Sequence, residues 1–240
     1  MDQSGKMDSI ERVQSNLVKL LKNEGAALIG FGDMSGVDHC EFPVGISVAV
    51  PLPVSTICDL MEAPTVEYSM LYDSLNNDLN RIVKAGERFI RKQGFRAYAR
   101  CTDVVVVDAD NNSGLPHKTV AVRAGLGWIG KNNLLVTKEY GSAVRISAIL
   151  TDAPFKTADH VCPSRCGTCR LCVDACPGNA LYGTSWAPGM SREDMIDVDA
   201  CFKTQLRVME AATGISTDLC GKCFAVCAWT RKYILQAMHD

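Results

Sequence analysis

The stretch Cys166-Gly-Thr-Cys169-Arg-Leu-Cys172-Val-Asp-Ala-Cys176-Pro177 decides how the C-terminal third of the chain folds. Its spacing is typical of a bacterial ferredoxin motif, in which three thiolates bind one 4Fe–4S cluster and the fourth reaches a second cluster. Further along, Cys220-x2-Cys223-x3-Cys227 repeats the end of this pattern, and Cys201 stands alone between the two motifs. Together they provide the eight thiolates that two such clusters need.

The spacing predicts how these cysteines divide between two metal clusters. We assign one cluster to the first cysteine set, which is Cys166, Cys169, Cys172 and Cys227. We assign the other to the second cysteine set, which is Cys176, Cys201, Cys220 and Cys223. The alternative is a pair of zinc knuckles, although zinc sites need neither the three-plus-one spacing nor the proline after the fourth cysteine.

The remaining thiols are not expected to bind metal. Cys162 is predicted to be a neighbour of the clusters rather than a ligand. Cys40, Cys58 and Cys101 are isolated in sequence and are predicted to be buried apolar thiols.

Composition indicates a globular protein of one large domain, or of a medium domain with a small one. The chain has 240 residues, 47% of them hydrophobic, with a net charge of -2 and 12 cysteines. No apolar run approaches the length of roughly 18 residues that spans a bilayer, and the N-terminus lacks the pattern of a signal peptide. A cytoplasmic location is therefore expected, and the many thiols of a reducing compartment indicate metal binding rather than disulfides.

The distribution of cysteines predicts a domain boundary. Three precede residue 160, and nine lie between Cys162 and Cys227. We therefore expect an α/β domain over residues 1–156 and a ferredoxin-like double-cluster domain over residues 157–240.

Hydrophobic periodicity predicts mixed helices and strands in the first domain. Amphipathic helices are expected over residues 9–24, with Gly25 as the stop, and over residues 66–93. Strands are expected at Val44–Val50, Val104–Val107 and Ser142–Thr151, the last long enough to be central in a sheet. Strands separated by long helices favour an α/β or α+β sheet domain over a sandwich.

A glycine-rich segment, Arg123-Ala-Gly-Leu-Gly-Trp-Ile-Gly-Lys-Asn132, satisfies the G-x-x-x-x-G-K part of a phosphate-binding loop. The segment follows a predicted helix at Lys118–Ala124 rather than a strand, and Asn132 provides no hydroxyl for magnesium. A tight helix-to-strand turn, in which glycines permit close packing, is therefore preferred. The acidic run that begins at Asp108 departs from a calcium loop at Ser113 and Thr119, so calcium is excluded.

Five segments, in this order, resemble the core of epoxyqueuosine reductase. They are RAGLGWIGKNNLLVTKEYGS (123–142), ILTDAPF (149–155), CGTCRLCVDACPGNAL (166–181), Cys201 and CGKCFAVC (220–227). The resemblance covers roughly residues 20–232 and implies an α+β fold, with a nitroreductase-like sheet domain that holds cobalamin and a ferredoxin-like domain with two 4Fe–4S clusters. The family reduces an epoxide in tRNA. Its C-terminal helical-repeat region, which helps to grip tRNA, does not follow Asp240, so the chain resembles a short form and tRNA is not expected as substrate.

The resemblance also implies site residues. Leu135, Ile146, Lys203 and Gly221 match positions that line the corrin. The family's proton-donating Asp corresponds to Asn111 here, which cannot donate a proton as a carboxylic acid does. The candidate replacements are Asp110, one residue earlier, and His117, whose imidazole titrates near neutral pH. The alternative interpretation is that His117 is a residue at a helix N-terminus without a chemical role. No Asp-x-His-x-x-Gly motif supports cobalamin binding through a histidine.

A basic helix face bears on partners. Arg81, Lys84, Arg88, Arg91 and Lys92 fall at helical spacing opposite the apolar stripe. A solvated surface is the ordinary interpretation, and docking of an acidic electron donor such as a ferredoxin or flavodoxin, or of nucleic acid, is the alternative.

Three functions remain open from the sequence. The first is an oxidoreductase that passes electrons from its clusters to a bound cobalamin and reduces a small substrate. The second is a carrier that catalyses nothing itself and reductively activates a corrinoid protein. The third is cluster-dependent nucleic-acid binding, which only the basic face supports. No membrane partner is expected, and homodimerisation stays open.

Overall fold

The computed structural model describes residues 3–104 and 114–239. Within those ranges it contains eight helices, six strands and one short 3-10 helix. In chain order they are α1 (Gln3–Asn23), β1 (Leu28–Asp33), β2 (Val44–Pro51), α2 (Val54–Asp59), α3 (Val66–Lys92), β3 (Ala97–Arg100), the 3-10 helix (Thr102–Val104), α4 (His117–Arg123), β4 (Trp128–Ile129), β5 (Leu135–Val136), β6 (Val144–Thr151), α5 (Leu171–Asp174), α6 (Val198–Thr213), α7 (Lys222–Ala225) and α8 (Ala228–Ala237). The chain is therefore an α+β protein.

The two long helices confirm the predictions from periodicity. Helix α1 covers the predicted helix at residues 9–24 and ends before Gly25, which adopts a φ of 107° that glycine accepts without strain. Its Leu17 and Leu21 are fully buried. In helix α3 the apolar stripe includes Leu79 and Ile82, which are also fully buried and pack in the same core.

A four-stranded sheet in the order β1-β2-β6-β3 forms the other side of that core. Strands β1 and β2 pair antiparallel, with Phe31 opposite Ile46, and β3 pairs antiparallel with β6, with Ala97 opposite Thr151. Strand β6 lies inside the sheet, as its length predicted. The predicted strand Val104–Val107 lies outside the described residues beyond Val104, which ends the 3-10 helix.

The glycine-rich segment is a turn between a helix and a short hairpin, as preferred over a phosphate-binding loop. Helix α4 precedes it, Gly125 adopts a left-handed φ of 75°, and β4 pairs antiparallel with β5. A Cβ at Gly127 would overlap the carbonyl oxygen of Val136 across the hairpin. Glycine is required there because the two backbones approach so closely.

The chain divides into two compact units, each assembled from three segments. Unit 1 contains residues 1–50, 75–126 and 145–161, and unit 2 contains residues 51–74, 127–144 and 162–240. The division into domains at residues 156 and 157 follows the chain, and it stays a prediction. No helix in the described parts of the chain is long and apolar enough to cross a membrane.

Candidate metal centre

A succession of tight turns presents the cysteines of the first motif. The amide of Cys169 donates to the carbonyl of Cys166 at 3.0 Å, and helix α5 then begins at Leu171. The turn continues past α5, where the amide of Cys176 donates to the carbonyl of Val173 at 3.2 Å. The short gaps between cysteines thus become consecutive turns.

The first cysteine set shares one cavity in unit 2. All four of its thiols line a cavity of about 40 Å³. Burial raises the pKa of the Cys172 thiol to about 11, and the three other cysteines of the set add to that rise. The four sulfurs are neighbours because they line the same small cavity, and like charges close together disfavour ionisation.

The second cysteine set is gathered in the same way. Burial raises the pKa of Cys223 well above its ordinary value, and Cys220 and Cys201 act in the same direction. Burial also raises the pKa of Cys201, with Cys176 and Cys220 next in importance. Cys172 of the first set adds to the shift at Cys223, so the two sets adjoin.

Helix α6 positions the isolated cysteine of the second set. Asp197 caps the helix by accepting a hydrogen bond from the amide of Ala200 at 2.9 Å, and Cys201 follows in the first turn. Gly214 ends the helix in a left-handed conformation. These two caps fix the start and the end of the helix in the sequence.

A buried lysine and an aromatic pair surround the first set. Lys131, only 7% exposed, lines the same cavity and donates from Nζ to the carbonyl of Gly167 at 2.8 Å. Trp229 also lines the cavity and packs edge-to-face against Trp128, with ring centroids 4.9 Å apart. Neither role was predicted from the sequence, although a lysine inside an apolar glycine-rich segment could have indicated a buried cation.

The described residues contain no site for a single metal ion. Within residues 3–104 and 114–239, no three His, Cys, Asp or Glu side chains converge closely enough to hold one metal ion. In a 4Fe–4S cluster each thiolate binds a different iron, so the four sulfurs do not need to converge on one point.

The isolated thiols differ in burial. Cys101 is buried, as predicted, and Cys40 is half-buried. Cys58 is exposed, so the prediction that it is a buried apolar thiol was wrong. It lies in the short helix α2, which buries Ile57 instead. Cys162 is half-buried, and its role as a non-ligand stays a prediction.

Of the two candidate proton donors, only His117 lies in the described residues; Asp110 and the neighbouring Asn111 lie outside them. His117 is the first residue of α4 in unit 1, and neither ring nitrogen has a hydrogen-bond partner although both are buried. Burial lowers its pKa to about 4, and the guanidinium groups of Arg100 and Arg145 act in the same direction. The side chain is therefore a neutral imidazole at pH 7.

The four positions that the resemblance matched to the corrin have different surroundings. Leu135 is buried in the β4–β5 hairpin, and Ile146 is half-buried in β6. Lys203 is exposed on α6 and forms an ion pair with Asp199 at 2.6 Å. Gly221 precedes helix α7 in a left-handed conformation. Their role stays a prediction.

A larger cavity of unit 2 adjoins the second cysteine set. It measures about 430 Å³, and its lining includes Cys220, Lys222, Arg207 and Leu60. Cys220 and Lys222 flank Gly221 in sequence, but none of the four corrin-matched positions is itself in this lining.

The basic face of α3 is exposed and partly paired with acids. Arg81 forms ion pairs with Glu24 and Asp78, and Arg91 with Glu87 at 2.8 Å. These pairs reduce the positive charge that the face presents to a partner.

Comparison with known proteins identifies the metal-binding region. Residues 165–230 match the protein family described as the 4Fe-4S double cluster binding domain. The chain is 43% identical to the epoxyqueuosine reductase of Listeria monocytogenes over 84 residues, which is 35% of this chain and 22% of the relative. It is 26% identical to that of Vibrio cholerae over 186 residues, which is 78% of this chain and 48% of the relative. The chain thus spans less than half the length of these relatives.

Solved structures of two kinds share the fold. A crystal structure of epoxyqueuosine reductase with a modified tRNA stem loop matches 92% of this chain and 66% of its own, with a TM-score of 0.60 and 21% identity. A catabolic reductive dehalogenase in complex with 3-bromo-4-hydroxybenzoic acid matches 93% of this chain and 32% of its own, with a TM-score of 0.69 and 16% identity. At such identities the likeness establishes the fold.

The gathered cysteines and the matched family define an iron–sulfur protein with a double 4Fe–4S cluster domain. The order of motifs, the curated relatives and the shared fold confirm that the chain resembles epoxyqueuosine reductases.

Proposed function

We propose that the chain is an electron-transferring oxidoreductase, in which each of the two cysteine sets binds one 4Fe–4S cluster. The observation that carries the proposal is the gathering of eight thiols into two adjoining sets of four. The electrostatic influence of Cys172 on Cys223 shows that the two sets adjoin, and an electron is proposed to pass from one cluster to the other there. Burial raises the pKa of the thiols of Cys172, Cys201, Cys220 and Cys223, so cluster binding must release protons from them.

Iron content tests the ligand assignment. Anaerobically reconstituted wild-type protein should bind about eight irons, and Cys227→Ala and Cys201→Ala should each bind about four. Cys58→Ala is the matched control, because that thiol is exposed, belongs to neither set, and should leave the iron content unchanged. Full iron content in Cys227→Ala would contradict the assignment.

We propose cobalamin as the acceptor of these electrons. One solved structure that shares the fold is a reductive dehalogenase, and that structure suggests a mechanism for B12-dependent dehalogenation. The resemblance implies the same cofactor here and a nitroreductase-like sheet domain over residues 1–156. The residues matched to the corrin fit this cofactor only in part. Gly221 lies next to Cys220 and Lys222, which line the larger cavity, whereas Leu135 is buried and Lys203 is paired with Asp199. Lys222 and Arg207 would contact the cofactor from this cavity, and when bound it would supply a strongly reducing centre.

An anaerobic titration with cob(II)alamin, followed by absorption and EPR spectroscopy, tests this step. Saturable binding that Lys222→Gln weakens and Lys232→Gln does not would support the proposal. Intact clusters without binding would favour the alternative function, an electron carrier that reductively activates a corrinoid protein.

The proton for a reductive step is proposed to come from Asp110. At neutral pH the imidazole of His117 has lost its acidic proton, because its pKa is about 4. Turnover that survives Asp110→Asn and is lost in His117→Gln would reverse this assignment.

A small molecule is proposed as substrate, and a low-potential ferredoxin or flavodoxin as electron donor. Arg165 and Lys232 are exposed and stack on Trp128 and Trp229, beside the first cysteine set, so an acidic donor would meet positive charge there. Charge reversal at Lys232 should slow reduction by ferredoxin at low salt and leave reduction by dithionite unchanged. A shift of tRNA in a gel at low salt would contradict the proposal of a small substrate. A cytoplasmic location is part of this proposal.

A further inference from the structure

Lys131 is the buried cation next to the first cysteine set. Its side chain is 7% exposed, and it lines the cavity of about 40 Å³ together with all four cysteines of that set. Burying an ammonium group is unfavourable unless an opposite charge or a hydrogen bond compensates. The hydrogen bond from Nζ to the carbonyl of Gly167 satisfies one of its three donors.

The hydrogen bond joins two distant parts of the sequence. Gly167 lies between Cys166 and Cys169, in the turn that presents the first two sulfurs, and Lys131 lies 36 residues earlier in the glycine-rich segment. The bond therefore fixes the ammonium group against the backbone of the cluster-binding turn. Asn132, also buried, is held by a hydrogen bond to Ser142 at 3.0 Å, so the segment that carries the lysine is itself fixed.

A fixed positive charge at this place has an electrochemical consequence. A cluster with four thiolate ligands carries net negative charge, and one-electron reduction makes that charge more negative. A nearby cation stabilises the reduced form more than the oxidised form, and a buried position limits screening by solvent.

We propose that Lys131 is a positioning residue of the first cluster, and that its ammonium group raises the reduction potential of that cluster. The inference rests on the proposed binding of a 4Fe–4S cluster by the first cysteine set. It gives the glycine-rich segment a redox role in place of the phosphate-binding role that its G-x-x-x-x-G-K pattern imitates.

Redox titration of the reconstituted protein, followed by EPR spectroscopy, tests the inference. Lys131→Gln keeps a donor for the Gly167 carbonyl and removes the charge. At a fixed ambient potential, Lys131→Gln should increase the ratio of oxidised to reduced first cluster about tenfold. This corresponds to a reduction potential that is about 59 mV lower for one electron. Lys131→Arg keeps the charge and should remain within about twofold of the wild type. The Cys227→Ala variant, which lacks the first cluster, identifies the signal that belongs to it.

Lys138→Gln is the matched control, because this lysine is exposed, follows strand β5 and has no assigned role, and it should change the first cluster by less than about twofold. If Lys131→Gln does not retain the cluster, Ala228→Lys serves instead. Ala228 is exposed and lines the same cavity, so an added lysine should lower the oxidised-to-reduced ratio about threefold relative to Ala228→Gln.

The outcomes separate this inference from the ligand assignment. A wild-type protein without the first cluster would overturn both. The role of Lys131 alone would be overturned if both clusters are intact and the oxidised-to-reduced ratio of the first cluster does not change by more than twofold. The comparison is Lys131→Gln against the wild type, or Ala228→Lys against Ala228→Gln.

Discussion

His117 should remain uncharged at pH values where ordinary histidines are protonated. The ring nitrogens of His117 are buried without a hydrogen-bond partner, and Arg100 and Arg145 lie close enough to oppose a further positive charge. Burial is the main cause that lowers its pKa to about 4. At pH 6 about three quarters of an ordinary histidine is protonated, but only about 1% of His117 should be.

The same shift makes the stability of the folded chain depend on pH. In the unfolded chain His117 binds a proton with a pKa near 6.5, whereas in the folded chain it does so only near 4. Below pH 6.5 the unfolded state therefore binds more protons, and stability decreases as the pH falls towards 4. Between pH 7.5 and pH 5 the loss due to this one residue should be about 2 kcal/mol, since each pKa unit corresponds to about 1.4 kcal/mol.

Nitrogen-15 NMR of histidine-labelled, oxidised protein measures the pKa directly, because the sequence contains only 4 histidines. The resonance that disappears in His117→Gln identifies the residue. Thermal unfolding at pH 7.5 and pH 5 should show that His117→Gln loses less stability than the wild type. His160→Gln is the control, since His160 is exposed and should change neither result. A pKa of His117 near 6.5 would refute the reasoning and restore this residue as a candidate proton donor at neutral pH.

Three further changes test the fold around the metal centre. Gly141→Ala should lower Tm and reduce the free energy of unfolding by at least about 2 kcal/mol, because φ is 58° and a Cβ would overlap the backbone nitrogen of Thr230. The control Gly36→Ala, where φ is 72° and no atom is near, should reduce it by only about 1 kcal/mol. Equal effects would contradict the steric argument. Asp197→Ala removes the cap of α6 and should reduce the free energy of unfolding by about 1 kcal/mol. Asp199→Ala removes an exposed ion pair and should change it by less than about 0.5 kcal/mol. Thermal unfolding compares the two variants, and a larger effect of Asp199→Ala would be evidence against the cap. Chelation of iron should increase proteolysis within residues 162–227 and leave the sheet of unit 1 protected, and equal protection in both forms would show that metal does not stabilise this region.

The gathering of the cysteines was predictable because its signal is local. Spacings of two and three residues become consecutive turns, so the order of Cys166, Cys169 and Cys172 already contains the geometry of three ligands. The long helices α1 and α3 were predictable for a related reason, since their apolar stripes follow the helical period over about three turns in α1 and about five in α3.

What surrounds the ligands was not predictable in the same way. The bond between Lys131 and Gly167 joins residues 36 positions apart, and the bond from the amide of Ser142 to Thr230 joins residues 88 positions apart. Such contacts depend on how the β4–β5 hairpin packs, which no local pattern expresses. For the same reason the density of cysteines predicted one boundary in the sequence, whereas unit 2 also includes residues 51–74 and 127–144.

The three-residue gap in each motif determines how near the clusters must lie. Helix α5 includes Cys172 and ends two residues before Cys176, and helix α7 includes Cys223 and ends two residues before Cys227, so each gap is about one helical turn. In both motifs the cysteine before the gap belongs to one set and the cysteine after it to the other. Four residues of helix advance by about 6 Å, and therefore two rigid turns, running from one set to the other, hold the sets side by side. In the proposed assignment this exchange of ligands brings the two clusters close together, so the spacing that defines the sets would also provide a short electron path between them.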